Sequence, residues 1–350
     1  MQHCNSLAER KEKVMEKKIV KCEVLLTRKC NLRCRYCRII RDDVETERDF
    51  GKWKETLQAL KILGSEINPI YGAEPLLEKD LLLKILRYSA EIDAPNTIIT
   101  NGELLTEDLA KELYDAGLRS MTVSFDSLDG IFPDKHSERK TRNAEKVIEM
   151  FSKFPDMRDI EIVVTITRQN FREIPRMIRE FSSRGIWTSF DLIHYDRGQH
   201  ETKCPPREAI EDLLFKDEDL PALKDVLLEI KELKQKGCLL HQDPETMDIL
   251  VKNLKDYSWE CTEFGFLTME ADLTARPCDD WCPPELYRKY TVISLVEDGK
   301  WDEFHNLRKE LRKRDKCHCL WSTHIMSEVW LRDVNVGTYI RHEYKPEVNS

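Results

Sequence analysis

Between residues 19 and 193, six short apolar runs alternate with longer stretches of helical period, and this alternation restricts the chain to a narrow set of folds. The runs at 19–26, 67–71, 97–100, 118–125, 160–167 and 186–193 have the length and β-branched content of buried strands. Stretches at 51–63, 76–90, 106–116, 140–151 and 171–183 follow the first five and read as helices. Thr106 stands where a helix N-cap belongs, and Gly117 where a helix stops. Parallel neighbours can be joined only by a crossover, so repeated strand–helix units require a parallel sheet with right-handed connections. Six such units form either an open doubly wound sheet or a partial barrel, and periodicity alone does not choose.

The loop after the first run holds Cys30, Cys34 and Cys37, spaced C-x3-C-x2-C. Three thiolates on one short loop can hold three corners of a cubane iron–sulfur cluster. They leave the fourth iron open, which marks a cluster that does chemistry rather than only carrying electrons. A bacterial ferredoxin run has different spacing and a fourth cysteine soon after. Gly72-Ala73-Glu74-Pro75, Thr100-Asn101-Gly102 and Ser124-Phe125-Asp126 fall at or just beyond the carboxyl ends of the next three strands. Active sites sit at that end of both parallel architectures.

The 12 cysteines accompany no apolar export segment, so they point to metal or redox chemistry in the cytoplasm rather than to disulfides. No run of eighteen apolar residues offers a membrane span. A net charge of −9 argues against general nucleic-acid binding, which needs a basic surface.

Taken in order, the four motifs resemble the radical S-adenosylmethionine enzymes, with Gly72-Ala73-Glu74-Pro75 in the place of that family's Gly-Gly-Glu-Pro. The resemblance implies an α/β fold of the partial (βα)6, TIM-like barrel type. It implies a 4Fe–4S cluster on Cys30, Cys34 and Cys37 whose open iron is chelated by S-adenosylmethionine. One electron from that cluster would cleave the sulfonium, and the 5′-deoxyadenosyl radical would abstract hydrogen from a small-molecule or peptide substrate. An electron donor such as flavodoxin or ferredoxin follows as a partner. By the same resemblance Glu74 accepts the cofactor's ammonium group, while Gly72 and Ala73 admit its methionyl part. Tyr36 packs by the adenine, Asn101 and Ser124 face the cofactor, and Arg139 pairs with its carboxylate. Ala73 departs from the usual glycine, and Arg139 also reads as a solvated charge in Glu138-Arg139-Lys140. Asp126 orients polar groups or caps a turn; Thr167, Asn170, His194 and Tyr195 lie at later strand ends and could line a substrate cavity.

Near the carboxyl end stand Cys261, Cys278, Cys282, Cys317 and Cys319. Their order resembles the twitch subdomain, a short form of the SPASM extension, and implies an auxiliary 4Fe–4S cluster on Cys261, Cys278, Cys317 and Cys319. Two features depart from that pattern. Leu273 occupies a position that is usually glycine, and a single residue separates Cys317 from Cys319, so Cys282 could replace either. Structural zinc, with His318 or His324 as a further ligand, is the competing reading. Cys4, Cys22, Cys204 and Cys238 read as buried or incidental thiols. One of them could instead donate hydrogen to a product radical, but no spacing selects it.

The chain thus divides into a polar tail (1–18), a barrel (19–205), a helical insertion or linker (206–256) and a cysteine-rich α+β extension (257–350). Within the insertion, 206–215, 220–237 and 244–254 read as helical. About eighteen residues precede the first strand, too few for a winged-helix peptide-binding domain. That favours a small-molecule or separately delivered peptide substrate, and the lack of a cobalamin domain disfavours cobalamin-dependent methylation. The alternative of a different class is a noncatalytic iron–sulfur or zinc protein acting in electron delivery or partner binding.

Overall fold

The computed structural model describes residues 18–40, 43–94, 96–196, 204–261, 264–315 and 319–332. Cys4, Cys317 and His318 lie outside the described residues. The six expected strands are β1 (Lys21–Leu25), β2 (Asn68–Tyr71), β3 (Asn96–Thr100), β4 (Ser120–Phe125), β5 (Asp159–Ile166) and β6 (Trp187–Leu192). Each is parallel to its sequence neighbour. Between them run α1 (Phe50–Ile62), α2 (Lys79–Glu91), α3 (Glu107–Asp115), α4 (Lys135–Phe151) and α5 (Ile174–Ser183). The architecture is a partial (βα)6 barrel.

Local chemistry sets the boundaries. The Thr106 side chain accepts from Leu109 N at 3.2 Å and starts α3, and Gly117 follows it with φ +101°. Helix α4 begins at Lys135, earlier than the apolar period suggests, because Asp134 caps it by accepting from His136 N and Ser137 N. Where residues 206–215 read as a helix, the structure has only a 3-10 turn, Arg207–Ala209. Ile210, Leu213 and Leu214 instead pack with Ile193 in a small apolar cluster of their own. Helices α6 (Leu220–Gln235) and α7 (Pro244–Asn253) lie where the sequence puts them.

The barrel interior carries polar and charged side chains among apolar ones. Along β5, Ile160, Ile162, Val164 and Ile166 are buried beneath the helices, whereas the alternate residues Asp159, Glu161, Val163 and Thr165 are only half-buried. Ser120, Thr122 and Ser124 of β4 and Ser189 and Asp191 of β6 face the same interior. A filled TIM barrel packs branched aliphatic residues at these positions. Here they enclose a cavity.

The carboxyl-terminal segment is built into the same sheet. Strand β7 (Phe266–Met269) pairs in parallel with β1, Lys21 opposite Phe266, and β8 (Ala275–Arg276) returns antiparallel to β7. The strand order is therefore 6-5-4-3-2-1-7-8. Helices α8 (Val292–Glu297), α9 (Trp301–Asp315) and α10 (Ser322–Arg332) complete the described residues, and among these no helix is long and apolar enough to cross a membrane.

Candidate functional site

The interior cavity has a volume of about 410 Å³ and is walled at one end by Cys30, Cys34 and Cys37. None of the three is in a disulfide. Cys30 Sγ accepts from Leu32 N at 3.3 Å, and Cys37 N donates to Cys34 O at 3.1 Å to close a turn. Burial pushes the Cys34 thiol up to about 12 and raises Cys30 as well, so metal binding must displace protons from both. Three soft sulfur donors from one loop, facing a cavity, fit a cubane cluster with one uncommitted corner.

Two neighbouring turns hold that loop. At Gly72, with φ +101°, a Cβ would stand 2.5 Å from Thr27 O, so only glycine lets the end of β2 approach the loop this closely. Two residues on, Glu74 N donates to Lys29 O at 2.9 Å. Asn101, just past β3, donates from Nδ2 to Asn31 Oδ1 at 2.8 Å and lies 3.9 Å from Cys30 Sγ. Gly72, Ala73, Asn101, Ser124 and Tyr36 all line the cavity.

Two further expected site residues, Glu74 and Arg139, do not line the cavity. Glu74 is fully buried and is absent from the cavity wall. Its Oε1 accepts from Leu76 N and Thr100 Oγ1 at 3.1 and 2.8 Å, and its Oε2 from Asn101 N at 2.9 Å. The carboxylate ties β2 to β3 through these three hydrogen bonds. Burial pushes its pKa up to about 7 against the pull of those three hydrogen bonds. The Arg139 guanidinium is partly exposed and pairs with Glu103, and the residue is not part of the cavity wall.

The cation that does face the cavity is Lys140, which sequence reasoning missed. Its ammonium is buried, bonded to the Tyr36 hydroxyl, 3.1 Å from Asp126 Oδ2 and 4.8 Å from the Tyr36 ring centroid. The Tyr36 hydroxyl in turn donates to Asp126 Oδ1 at 2.8 Å. Asp134 connects this group to the loop, since it caps α4 and also accepts from Arg35 N at 2.8 Å.

Of the later strand-end candidates, only His194 reaches the cavity. Its Nδ1 lies 2.6 Å from Leu192 O, its Nε2 accepts from Leu320 N at 2.9 Å, and its ring stacks on Trp321 at 4.1 Å. Both nitrogens are thus committed. Asn170 bonds Thr167 N and Asp126 O, so it braces the turn that follows β5. Deeper in the barrel, Lys21 pairs with Glu23 at 2.6 Å and His241 with Glu161 at 3.3 Å. Alternating polar residues along the strands were the available signal for this interior. Cys204 is buried at the wall, 3.5 Å from Asp280 Oδ1.

Cys261, Cys278, Cys282 and Cys319 are all buried outside the cavity wall. Cys278 Sγ lies 3.9 Å from His324 Nδ1, and Trp259 N donates to Cys319 O at 3.2 Å, bringing the segments of Cys261 and Cys319 together. Leu273 has φ +68°, so the backbone adopts at this leucine the left-handed conformation that a glycine would accept freely. A buried ion cluster links this region to the cysteine loop. Arg28 donates from Nε to Glu270 Oε1 at 2.8 Å, from Nη2 to Oε2, and from Nη1 to Ile39 O at 3.2 Å. Arg276 also donates to Glu270, at 3.0 Å, and acts electrostatically on Cys282. Glu23, Asp279 and His324 also converge, their ligand atoms lying within 4.8 Å of one another. Lys21 pairs with Glu23, and the neighbouring Cys278 and Glu23 raise the His324 pKa in spite of its burial.

Residues 24–181, which carry the cysteine loop and the first five strand ends, match the family described as the Radical SAM superfamily. This segment is similar to that superfamily. Among curated relatives, Fe-coproporphyrin III synthase of Methanosarcina barkeri is 27% identical over 61% of this chain and 52% of its own length. GTP 3′,8-cyclase of Campylobacter jejuni is 35% identical over 38% of this chain and 41% of its own. The matches thus span about half the length of these relatives or less. In fold, the chain is similar to Streptococcus suis SuiB bound to S-adenosylmethionine. There the TM-score is 0.58 at 15% identity, covering 83% of this chain and 68% of SuiB.

Proposed function

We propose that this protein reductively cleaves S-adenosylmethionine and abstracts hydrogen from a small molecule or peptide held inside the barrel. The observation that carries the reading is the opening of all three loop cysteines onto one hollow interior. When bound, the cluster and S-adenosylmethionine supply the chemistry, a one-electron cleavage that yields a 5′-deoxyadenosyl radical. Cys30, Cys34 and Cys37 hold the cluster, and Asn101 steadies Cys30. Gly72 and Ala73 leave room for the methionyl part, with Tyr36 and Ser124 lining the cofactor's side of the cavity. Lys140, rather than Arg139, is the cation available to the cofactor carboxylate. The barrel walls keep water from the reacting carbon. A low-potential carrier of the flavodoxin or ferredoxin class delivers the electron.

Cys261, Cys278 and Cys319, completed by Cys282 or Cys317, hold an auxiliary 4Fe–4S cluster that assists substrate binding or electron transfer. The 3.9 Å approach of His324 Nδ1 to Cys278 Sγ favours a second reading, structural zinc at this group. Anaerobic reconstitution with dithionite and S-adenosylmethionine tests the main reading. 5′-Deoxyadenosine is released by the intact chain and lost in Cys34→Ala; no release from iron-loaded protein refutes it. About eight irons per chain, falling to about four when all three loop cysteines are replaced by Ala, supports two clusters. One zinc with about four irons supports the second reading.

A further inference from the structure

Lys140 is a buried lysine whose neighbours are all named by the structure. Its ammonium meets the Tyr36 hydroxyl and Asp126 and shares the cavity wall with Cys34. Tyr36 lies between Cys34 and Cys37 in the chain, so the Lys140–Asp126 pair stands against the middle of the cysteine loop. At the Cys34 sulfur, the Lys140 charge acts more strongly than either the Asp126 or the Asp134 carboxylate taken singly. The loop's other cations, Lys29, Arg33, Arg35 and Arg38, are exposed and water screens them, while the buried Arg28 at its entrance is paired with Glu270.

We infer that Lys140 and Asp126 set the reduction potential of the cluster on Cys30, Cys34 and Cys37, with Lys140 raising it and Asp126 lowering it. The inference rests on the proposed radical SAM reading. Reduction adds one negative charge beside Lys140 and Asp126, which are themselves buried and so little screened by water. A fixed cation at close range therefore stabilises the reduced state, and a fixed anion opposes it. The step moves one electron and no atom: a low-potential carrier, or dithionite in the test, is oxidised as the cluster is reduced. Because the two charges belong to one ion pair, removing either exposes the other. The two deletions must therefore shift the potential in opposite directions.

The test is an anaerobic redox titration of the reconstituted full chain, followed by electron paramagnetic resonance. The signal that S-adenosylmethionine perturbs identifies the loop cluster. Lys140→Met lowers the equilibrium constant for one-electron reduction about tenfold, which is about 59 mV for a one-electron step. Asp126→Asn raises it by a similar factor, and Lys140→Arg stays near the wild type. The double variant Lys140→Met/Asp126→Asn lies between the two single ones. If Lys140→Met takes up no iron, the upward shift of Asp126→Asn carries the test. Shifts of the same sign, or potentials that all stay within about threefold in equilibrium constant, overturn the inference. Wild-type protein that binds no iron overturns the radical SAM reading itself, and iron quantification tells the two failures apart.

Discussion

Replacing Glu270 by Gln should loosen the cysteine loop and the carboxyl-terminal segment together. Glu270 is buried between two guanidinium groups: Arg28, two residues before Cys30, and Arg276, which acts on Cys282. Burial alone would push its pKa up. The hydrogen bond and charge of Arg28, with the charge of Arg276, instead bring it from an ordinary value near 4.5 down to about 2. At about 1.4 kcal/mol per pKa unit, that depression is worth roughly 3 kcal/mol to the folded state at neutral pH. The size agrees with the roughly 3–5 kcal/mol lost when one partner of a buried ion pair is removed. Because the folded pKa lies below the unfolded one, the stabilisation is complete above the unfolded value. It is lost as pH falls from about 4.5 towards about 2. Urea denaturation at pH 7 should place Glu270→Gln about 3 kcal/mol below the wild type, with the gap narrowing as the solution is acidified. A difference under about 0.5 kcal/mol at pH 7 would show that the cluster of charges does not hold the two segments together.

Gly72→Ala forces a Cβ to within 2.5 Å of Thr27 O at φ +101°, so the loop must shift. Iron uptake on reconstitution should fall, and iron content with cofactor-binding calorimetry checks this. Glu74→Gln turns an amide NH2 towards a backbone or hydroxyl donor and should cost about 1–3 kcal/mol in thermal or urea unfolding at pH 5. The folded pKa of Glu74, about 7, lies above its ordinary 4.5. Its contribution is therefore complete below 4.5 and is lost as pH rises through about 7, a slope that Glu74→Gln should remove. Arg139→Ala should leave the dissociation constant for S-adenosylmethionine within about twofold of the wild type, because its guanidinium pairs with Glu103 outside the cavity. A tenfold loss by isothermal titration would return Arg139 to the site.

The barrel was legible because each strand is an apolar run with a helix after it, a pattern that few folds satisfy. Strands β7 and β8 were not, since runs of four and two residues carry no periodic signal. Their order comes from pairing with β1 and with each other, which only the tertiary structure supplies. The cysteine loop and the turns at Gly72 and Asn101 were legible as motifs, and the structure brings them to one cavity wall. The choice between Arg139 and Lys140 was open to a helix argument that motif matching bypassed. Lys140 falls on the buried stripe of Ala144, Val147 and Phe151, spaced four, seven and eleven residues on, and Arg139 does not. Leu273 misleads in the opposite direction. Its identity departs from the twitch pattern, while its φ of +68° gives the turn the geometry a glycine would have.

The two groups of cysteines are therefore joined by more than chain connectivity. Strand β7 continues the sheet beside β1, and β1 leads directly into the loop of Cys30. The hairpin that follows β7 carries Glu270 and Arg276, and these reach back to Arg28 at the entrance of the same loop. Arg28 also bonds Ile39 O beyond Cys37, so one guanidinium fixes both ends of the loop and the hairpin at once. A displacement of the hairpin cannot leave the loop untouched, because separating the pair would strand a charge in a buried setting. The segment that carries the carboxyl-terminal cysteines is thereby tied, through Arg276, Glu270 and Arg28, to the loop of Cys30, Cys34 and Cys37. That linkage gives a physical reason for building the extension into the barrel sheet instead of hanging it from a linker.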